Sequence, residues 1–214
     1  MESSHVLSCI LGYLIGSIPT AFLVVRWKSK VDIRSSGSGN VGAMNSFQVT
    51  RSKLVGVLVL LLDVVKGALA VLVSQWFFGE QFSVQATSGV AAVVGHNFPV
   101  WLRFRGGRGL ATAAGVMLVL SWLFILVWAV LWVAGFALTK HVNAGNTIAS
   151  AAELVGILVV PGSVISKTLP AAIEAGEFKL FALLLFIVIL IKHMDPVREF
   201  ITARKIRRQE KGKD

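Results

Sequence analysis

Residues 54–78 read LVGVLVLLLDVVKGALAVLVSQWFF, an apolar run whose only charges are Asp63 and Lys66. About 20 such residues in a helix cross the hydrocarbon core of a bilayer. Asp63 and Lys66 are three residues apart, so they share one helical face and can neutralise each other. Such a pair inside a span serves either a functional site or the positioning of the helix. The run therefore predicts a transmembrane helix carrying an internal ion pair.

Composition extends this prediction to the whole chain. Of the 214 residues, 55% are hydrophobic and 15% are charged, and the mean hydropathy is +0.76. These values exclude a soluble domain of any size and indicate an integral membrane protein. The single cysteine, Cys9, can build neither a disulfide framework nor a thiolate metal site.

Seven apolar stretches predict an all-α, polytopic membrane fold with about seven transmembrane helices: 6–25, 54–78, 87–102, 110–120, 122–138, 147–160 and 178–191. An alternative merges residues 110–138 into one long tilted helix. The charges favour seven helices. If seven helices cross the membrane alternately, nearly all the cations in the connecting segments lie on one side of the membrane. The other side receives only Lys167 and Lys179. The positive-inside rule places the N-terminus outside and the C-terminus in the cytoplasm.

The chain is expected to form one membrane-embedded domain, residues 1–197, followed by a basic cytoplasmic tail, residues 198–214. The tail is either an amphipathic helix on anionic lipid or a frayed segment that enforces topology. The isoelectric point is about 10.3. Since most of the excess charge follows the membrane topology, lipids and phosphorylated substrates are the expected partners, and nucleic acid is not.

The first of two glycine-rich segments, SSGSGNVGAMN at 35–45, follows the first apolar stretch. It formally matches the dinucleotide fingerprint, but it follows a transmembrane helix rather than a strand, so a Rossmann fold is rejected. Glycines let the backbone approach an anion, while Ser38 and Asn40 can add hydrogen bonds and Asn45 can start or line the next helix. The alternative is a flexible loop of small residues.

The second segment, RFRGGRG at 103–109, lies immediately before the fourth apolar stretch. Glycines at this place present the helix N-terminal N–H groups to an anion, with Arg108 as counter-charge. Arg103 and Arg105 are equally well explained as topology signals. His96 precedes Pro99, where the third helix must break. It orients the loop, binds substrate or transfers protons. Both segments are predicted to meet in one phosphate site facing the cytosol.

Four motifs occur in order within residues 12–198: GSGNVGAMN at 37–45, LDVVKG at 62–67, GHNFPV at 95–100 and FRGGRGLAT at 104–112. Together they resemble the bacterial acyl-phosphate:glycerol-3-phosphate acyltransferase family, known as PlsY. The resemblance implies a seven-helix protein of the bacterial plasma membrane with its site on the cytoplasmic side. It also implies transfer of a fatty acyl group from acyl phosphate to the 1-hydroxyl of glycerol 3-phosphate, giving lysophosphatidic acid. Acyl phosphate is already activated, so no cofactor, metal or covalent intermediate is expected, and we expect a monomer.

The resemblance and the residue chemistry together give a predicted site. Its catalytic residues are Ser38, Asn40, Arg108 and His193. Its substrate-binding residues are Gly37, Gly39, Gly42, Asn45, Gln48, His96, Arg105, Gly106, Gly107, Gly109, Thr112 and Asn143. Residues 106–109 are expected to hold the acyl phosphate head, and Ser38, Asn40, Asn45 and Arg108 to hold glycerol 3-phosphate.

The chain departs from the family pattern at Met44, Gln48, Arg108, Asn143 and Pro196, where threonine, arginine, lysine, serine and asparagine are usual. Gln48 removes a charge expected on the acceptor phosphate, which a local shift of Arg51 would restore. Two further hypotheses therefore stay open. One is a protein of the same fold with another acceptor, and the other is a non-catalytic anion- or lipid-binding protein or transporter. Inverted repeats or paired broken helices would favour a transporter, and the sequence has neither.

Overall fold

The computed structural model describes residues 2–170 and 173–211. This part of the chain is all-helical and contains no β-strand. Its α-helices are α1 Glu2–Gly16, α2 Thr20–Ser29, α3 Ala43–Thr50, α4 Lys53–Phe78, α5 Phe82–Asn97, α6 Leu110–Leu120, α7 Leu123–Thr139, α8 Val142–Val159, α9 Gly162–Ile165 and α10 Ala175–Lys211. Short 3₁₀ helices occupy Ile33–Ser35, Val100–Leu102 and Ser166–Thr168.

Each of the seven apolar stretches coincides with or overlaps a helix, which confirms the all-α membrane fold. Among the described residues, four helical segments are long and apolar enough to cross a bilayer: Glu2–Ser29, Lys53–Phe78, Val142–Val159 and Ala175–Arg198. Shorter apolar helices are α6 and α7. The chain leaves helical structure between Leu120 and Leu123, so α6 and α7 are separate helices rather than one merged helix. The number of crossings and their orientation stay predictions.

Small residues allow two helix pairs to approach closely. Gly12 and Gly16 of α1 lie against the backbone of Ser88 and Ala92 in α5, so a Cβ at either glycine would collide with a carbonyl oxygen. Gly67 of α4 lies in the same way against Thr112 of α6. Close backbone approach through small residues is a common way to pack membrane helices, because lipid supplies no hydrophobic drive for their association. These contacts hold α1 against α5 and α4 against α6.

We expect Gly16→Ala to lower the thermal stability of the detergent-solubilised protein. Its new methyl group meets the Ala92 carbonyl, and overpacking of this kind costs about 1–3 kcal/mol. Gly156→Ala in α8 is the matched control, because nothing lies within 4 Å of its added Cβ. The control should unfold at the native temperature or slightly above it. Equal melting temperatures for both variants would contradict the close α1–α5 contact.

A buried apolar cluster holds the two glycine-rich loops against the helices. It includes Val25 of α2, Val59 of α4 and Val41 of the first segment, together with Ile33 and Leu102, which lie just before the first and the second segment. Val25, Ile33 and Val59 are fully buried. The cluster therefore packs the first segment and the residue that precedes the second against α2 and α4.

Candidate active site

A cavity of about 830 Å³ opens where the two glycine-rich segments meet α3, α4, α6 and α8. Its lining includes polar groups from both segments and from the distant α10. The predicted site residues that line it are Ser38, Asn40, Gly42, Asn45, Gln48, His96, Arg108, Gly109, Asn143 and His193. The fold thus brings together residues separated by more than 150 positions in sequence.

Asn45 organises the first loop from within α3. Its side chain is buried, and its Nδ2 donates to the carbonyl oxygens of Ile33, Ser36 and Asn40 at 2.9–3.3 Å. Its Oδ1 accepts a hydrogen bond from the Ser38 N–H at 2.9 Å. Because the loop backbone is bonded to both the Nδ2 and the Oδ1 of this amide, Asn45 positions Ser38 and Asn40.

Gly37 and Gly39 shape the same loop without lining the cavity. Their φ angles are +60° and +71°, in the left-handed region that glycine adopts without steric cost. A side chain at Gly37 would also collide with the Asn45 Oδ1. The two glycines therefore allow the tight turn that presents Ser38.

Arg108 stands at the N-terminus of α6, where a helix attracts anions. The first α6 backbone hydrogen bond runs from the Ala113 N–H to the Gly109 carbonyl at 2.7 Å, and Leu110 and Ala111 line the cavity at this end of the helix. N–H groups of a first turn have no partner inside their own helix and carry the positive end of its dipole. Arg108 Nη1 donates to the Asn143 Oδ1 at 2.6 Å. Since Asn143 is neutral, this contact orients the guanidinium without cancelling its charge.

Gly106 and Gly107 do not line the cavity; they pack beneath it against His96. The Gly107 N–H donates to the His96 carbonyl at 3.0 Å. A Cβ at Gly106 would collide with that carbonyl, and one at Gly107 with the His96 Nε2. Of the residues expected to form the anion nest, Arg108 and Gly109 reach the cavity wall. The two inner glycines let the loop close over His96.

Two other predicted site residues lie elsewhere. Thr112 is buried in α6 where that helix meets Gly67 of α4. Arg105 lines a separate cavity on the neighbouring part of the same loop. Neither lines the cavity that holds Ser38 and Arg108.

A buried charge cluster lies at the base of the cavity. Asp63 Oδ1 accepts hydrogen bonds from Lys66 Nζ at 2.8 Å and from Thr20 Oγ1 at 2.5 Å, and His96 Nδ1 lies 3.5 Å away. Lys66 Nζ also donates to the Ile18 carbonyl at 3.1 Å. The predicted ion pair between Asp63 and Lys66 is therefore present. It connects α4 to the start of α2 and to the end of α5, directly behind the second loop.

His193 of α10 contributes a buried imidazole to the cavity wall. Its Nδ1 lies 2.9 Å from the Ile189 carbonyl, which can only accept, so Nδ1 carries the hydrogen. In the neutral ring Nε2 then holds a lone pair. Nε2 has no hydrogen-bond partner among the residues that the structure describes. A buried acceptor left unpaired beside a cavity is a candidate contact for a ligand hydroxyl.

The sequence interpretation missed several residues of the cavity wall. Lys53 and Lys140 are exposed lining residues, although the sequence pattern distinguishes neither from the other cations between the apolar stretches. His141 and Asn146 complete this side, and Asn146 Oδ1 is fixed by Trp132 Nε1 at 2.6 Å. Lys140, His141 and Asn146 lie within three residues of Asn143 in the sequence. That proximity was the one sequence feature that could have assigned them to the site. In the described part of the chain, no group of three His, Cys, Asp or Glu side chains is arranged to hold a metal ion.

The chain matches the profile of the family described as Glycerol-3-phosphate acyltransferase over residues 6–203. A glycerol-3-phosphate acyltransferase of Gluconobacter oxydans is 37% identical over 96% of this chain and 94% of its own length. One of Myxococcus xanthus is 46% identical over 66% of this chain and 73% of its own.

Similarity to solved structures is equally extensive. A crystal structure of PlsY, an integral membrane glycerol 3-phosphate acyltransferase, in its glycerol 3-phosphate form superposes with a TM-score of 0.77 at 30% identity, covering 94% of each chain. Its lysophosphatidic acid form gives 0.75 at 29% identity, covering 94% of this chain and 93% of that one. Taken with the family profile and the cavity built from its motifs, these similarities place the chain in the glycerol-3-phosphate acyltransferase family.

Proposed function

We propose that this chain transfers a fatty acyl group from acyl phosphate to the 1-hydroxyl of glycerol 3-phosphate, releasing phosphate and lysophosphatidic acid. One observation carries the proposal: a single cavity joins cationic and hydrogen-bonding groups to apolar side chains that are exposed on the outside of the helix bundle. A substrate pair made of two phosphates and one long acyl chain fits that combination.

The donor has both parts of this environment available. Phe47, Val57 and Leu60 line the cavity, and Val57 and Leu60 are exposed on α4, where an acyl chain can lie between protein and lipid. The phosphate head then reaches the α6 N-terminus and Arg108. Backbone N–H groups and a guanidinium both bind phosphate well.

The acceptor enters from the side that carries Ser38, Asn40, Gln48 and Lys140. Lys53 adds a second ammonium group to this rim. Among the described residues, Asp63 is the only carboxylate in the lining, and it is already paired with Lys66. The net positive lining suits a phosphate monoester and compensates for the uncharged Gln48. Arg51, the residue expected to shift into this role, does not line the cavity.

The chemistry needs positioning more than it needs a protein nucleophile. The acceptor oxygen attacks the acyl carbonyl carbon, the bond from that carbon to the phosphate oxygen breaks, and phosphate departs with the electron pair. The departing phosphate accepts the proton of the attacking 1-hydroxyl. His193 Nε2 accepts a hydrogen bond from the other hydroxyl of glycerol 3-phosphate, which orients the acceptor. Charge that develops on the carbonyl and phosphate oxygens is stabilised by Arg108 and the first-turn N–H groups of α6.

The proposal also covers location and organisation. The charge asymmetry supports a site facing the cytoplasm in a bacterial plasma membrane. It further supports a single membrane domain, residues 1–197, with residues 198–214 as a basic cytoplasmic extension. The α10 backbone continues through this boundary as far as Lys211, so the extension begins as a helix.

The donor is tested by incubating the purified protein in lipid with labelled glycerol 3-phosphate and one of two donors, palmitoyl phosphate or palmitoyl-coenzyme A. We expect labelled lysophosphatidic acid to form with palmitoyl phosphate and not with palmitoyl-coenzyme A. Equal or greater product from the coenzyme A thioester would overturn the donor assignment while leaving the acceptor intact.

Gln48→Arg is expected to lower the KM for glycerol 3-phosphate. Gln48 lines the cavity, and an added charge-assisted hydrogen bond to the acceptor phosphate is worth roughly a threefold to tenfold gain in affinity. Val31→Arg, which adds the same charge to an exposed position outside this lining, is the control. An unchanged KM in Gln48→Arg would indicate that the acceptor phosphate binds elsewhere, nearer Lys140.

A further inference from the structure

A second cationic cavity of about 600 Å³ lies beside the first and belongs to the same two loops. Its lining is Asp32, Arg34, Ser35, Trp101, Arg103 and Arg105. Three arginines face one carboxylate there, so the lining carries a net positive charge. None of these side chains lines the cavity assigned above to acyl transfer.

The Arg34 side chain lines this cavity and is held in place by its neighbours. Its guanidinium contacts Asp32 through Nη2–Oδ2 at 2.6 Å and Nε–Oδ1 at 3.0 Å, and it lies over the Phe22 ring at 5.2 Å. The hydrogen bond from Arg34 lowers the pKa of the Asp32 carboxyl to about 2. Asp32 is therefore ionised at neutral pH and balances Arg34, which leaves Arg103 and Arg105 to determine the charge.

Arg103 and Arg105 are exposed, and within the described residues no carboxylate lies within 4 Å of either one. The backbone between them is unusual, because Arg103 and Phe104 have φ angles of +53° and +63°. Hydrogen bonds from the Phe104 N–H to the Pro99 carbonyl at 3.0 Å and from the Arg105 N–H to the Leu102 carbonyl at 3.2 Å maintain this turn. Two consecutive non-glycine residues with positive φ are costly, and such conformations concentrate at binding sites.

Exposed aromatic side chains indicate where this cavity sits relative to lipid. Trp101 is 61% exposed and Phe104 is 58% exposed. The Trp101 indole is nonetheless held, because its Nε1 donates to Ser17 Oγ at 3.0 Å. Aromatic rings beside arginines at the end of a membrane helix are typical of the headgroup layer. We therefore expect the arginines of this cavity to lie at the depth of lipid phosphates.

We propose that this cavity binds the phosphate group of an anionic phospholipid headgroup, with Arg103 and Arg105 as the contacting cations. A phosphate group is the shared chemistry of a lipid headgroup and of a soluble phosphate ester. The exposed Trp101 and Phe104 favour the lipid, because a soluble ester offers nothing for these rings to contact. The site is separate from the acyl-transfer cavity, so its occupancy does not require turnover.

The test uses the full chain in detergent, titrated with phosphatidylglycerol or phosphatidylcholine and followed by native mass spectrometry. We expect phosphatidylglycerol to bind the unmodified protein about tenfold more tightly than phosphatidylcholine does. Arg103→Gln should weaken phosphatidylglycerol binding by a similar factor. Lys28→Gln, which removes one exposed cation of α2 outside the cavity, should leave it unchanged.

Two results would overturn this inference. One is equal affinity for the two lipids in the unmodified protein, a comparison that does not depend on any variant folding. The other is displacement of phosphatidylglycerol by millimolar inorganic phosphate, which would assign the cavity to a soluble phosphate ester. Lysophosphatidic acid formation in phosphatidylcholine should be unaffected by Arg103→Gln, which separates this site from acyl transfer.

Discussion

Replacing Arg108 with alanine is expected to reduce acyl transfer about 10²–10³-fold. Arg108 is the charged side chain at the α6 N-terminus and is oriented by Asn143 at 2.6 Å. In the proposed mechanism, its loss removes a positive charge from the place where the phosphate leaving group develops negative charge. The measurement is the initial rate of lysophosphatidic acid formation at saturating donor and acceptor.

Arg108→Lys is the matched variant, because it keeps the charge and loses the planar fork that Asn143 orients. We expect it to retain a substantial part of the activity lost in Arg108→Ala. Both variants should be recovered from the membrane in native amounts and unfold at the native temperature, because Arg108 is only half-buried. Full activity in Arg108→Ala would remove this residue from the proposed mechanism.

Asp63→Ala is expected to destabilise the protein by about 3–5 kcal/mol, the cost of leaving a buried charge without its partner. Asp63 and Lys66 are 1% and 5% exposed, and their ion pair is 2.8 Å long. Removing the carboxylate leaves the Lys66 ammonium with the Ile18 carbonyl as its described partner. Thermal unfolding in detergent and the yield of membrane-inserted protein measure the effect.

The double variant Asp63→Asn with Lys66→Met distinguishes two causes of destabilisation, the unpaired Lys66 charge and the lost hydrogen-bond contact. Since neither residue is then charged, we expect it to recover most of the stability that Asp63→Ala loses. His96 lines the cavity, and its Nδ1 lies 3.5 Å from the Asp63 carboxylate. Because the double variant removes that carboxylate from beside His96, it should still transfer acyl groups more slowly than the native protein. Equal stability of Asp63→Ala and the native protein would show that Lys66 finds another partner.

The helices were predictable because the length of each apolar stretch can be counted from the sequence. The apolar stretch 54–78 is α4 apart from Lys53, and the stretch 110–120 is α6. The Asp63–Lys66 pair followed from helical spacing, since residues three apart share a face. The break of the third helix before Pro99 was also predicted, and α5 ends at Asn97.

The site was predictable in composition more than in detail. Both glycine-rich segments contribute to one cavity, as expected, but spacing does not reveal which glycine faces the cavity and which faces protein. Gly107 looked like part of an anion nest, yet it packs on the His96 ring. Asn45 lines the cavity as expected, and its amide also holds the loop backbone, which spacing does not reveal. Both outcomes depend on how closely distant backbones approach.

Charges near helix ends were the hardest to interpret from sequence. A lysine that sets topology and a lysine that faces a substrate have the same position relative to an apolar stretch. Lys140 precedes α8 and Arg103 precedes α6, yet they line two different cavities. Only the packing of the loops places Lys140 in the lining of the candidate active site and Arg103 in the lining of the second cavity.

The most direct test of the account measures both products of one reaction. Purified protein in lipid is given palmitoyl phosphate, with or without glycerol 3-phosphate, and phosphate and lysophosphatidic acid are followed together. The account predicts equal amounts of the two products when the acceptor is present and neither product without it. Phosphate release that ignores glycerol 3-phosphate, or no product under either condition, would contradict it.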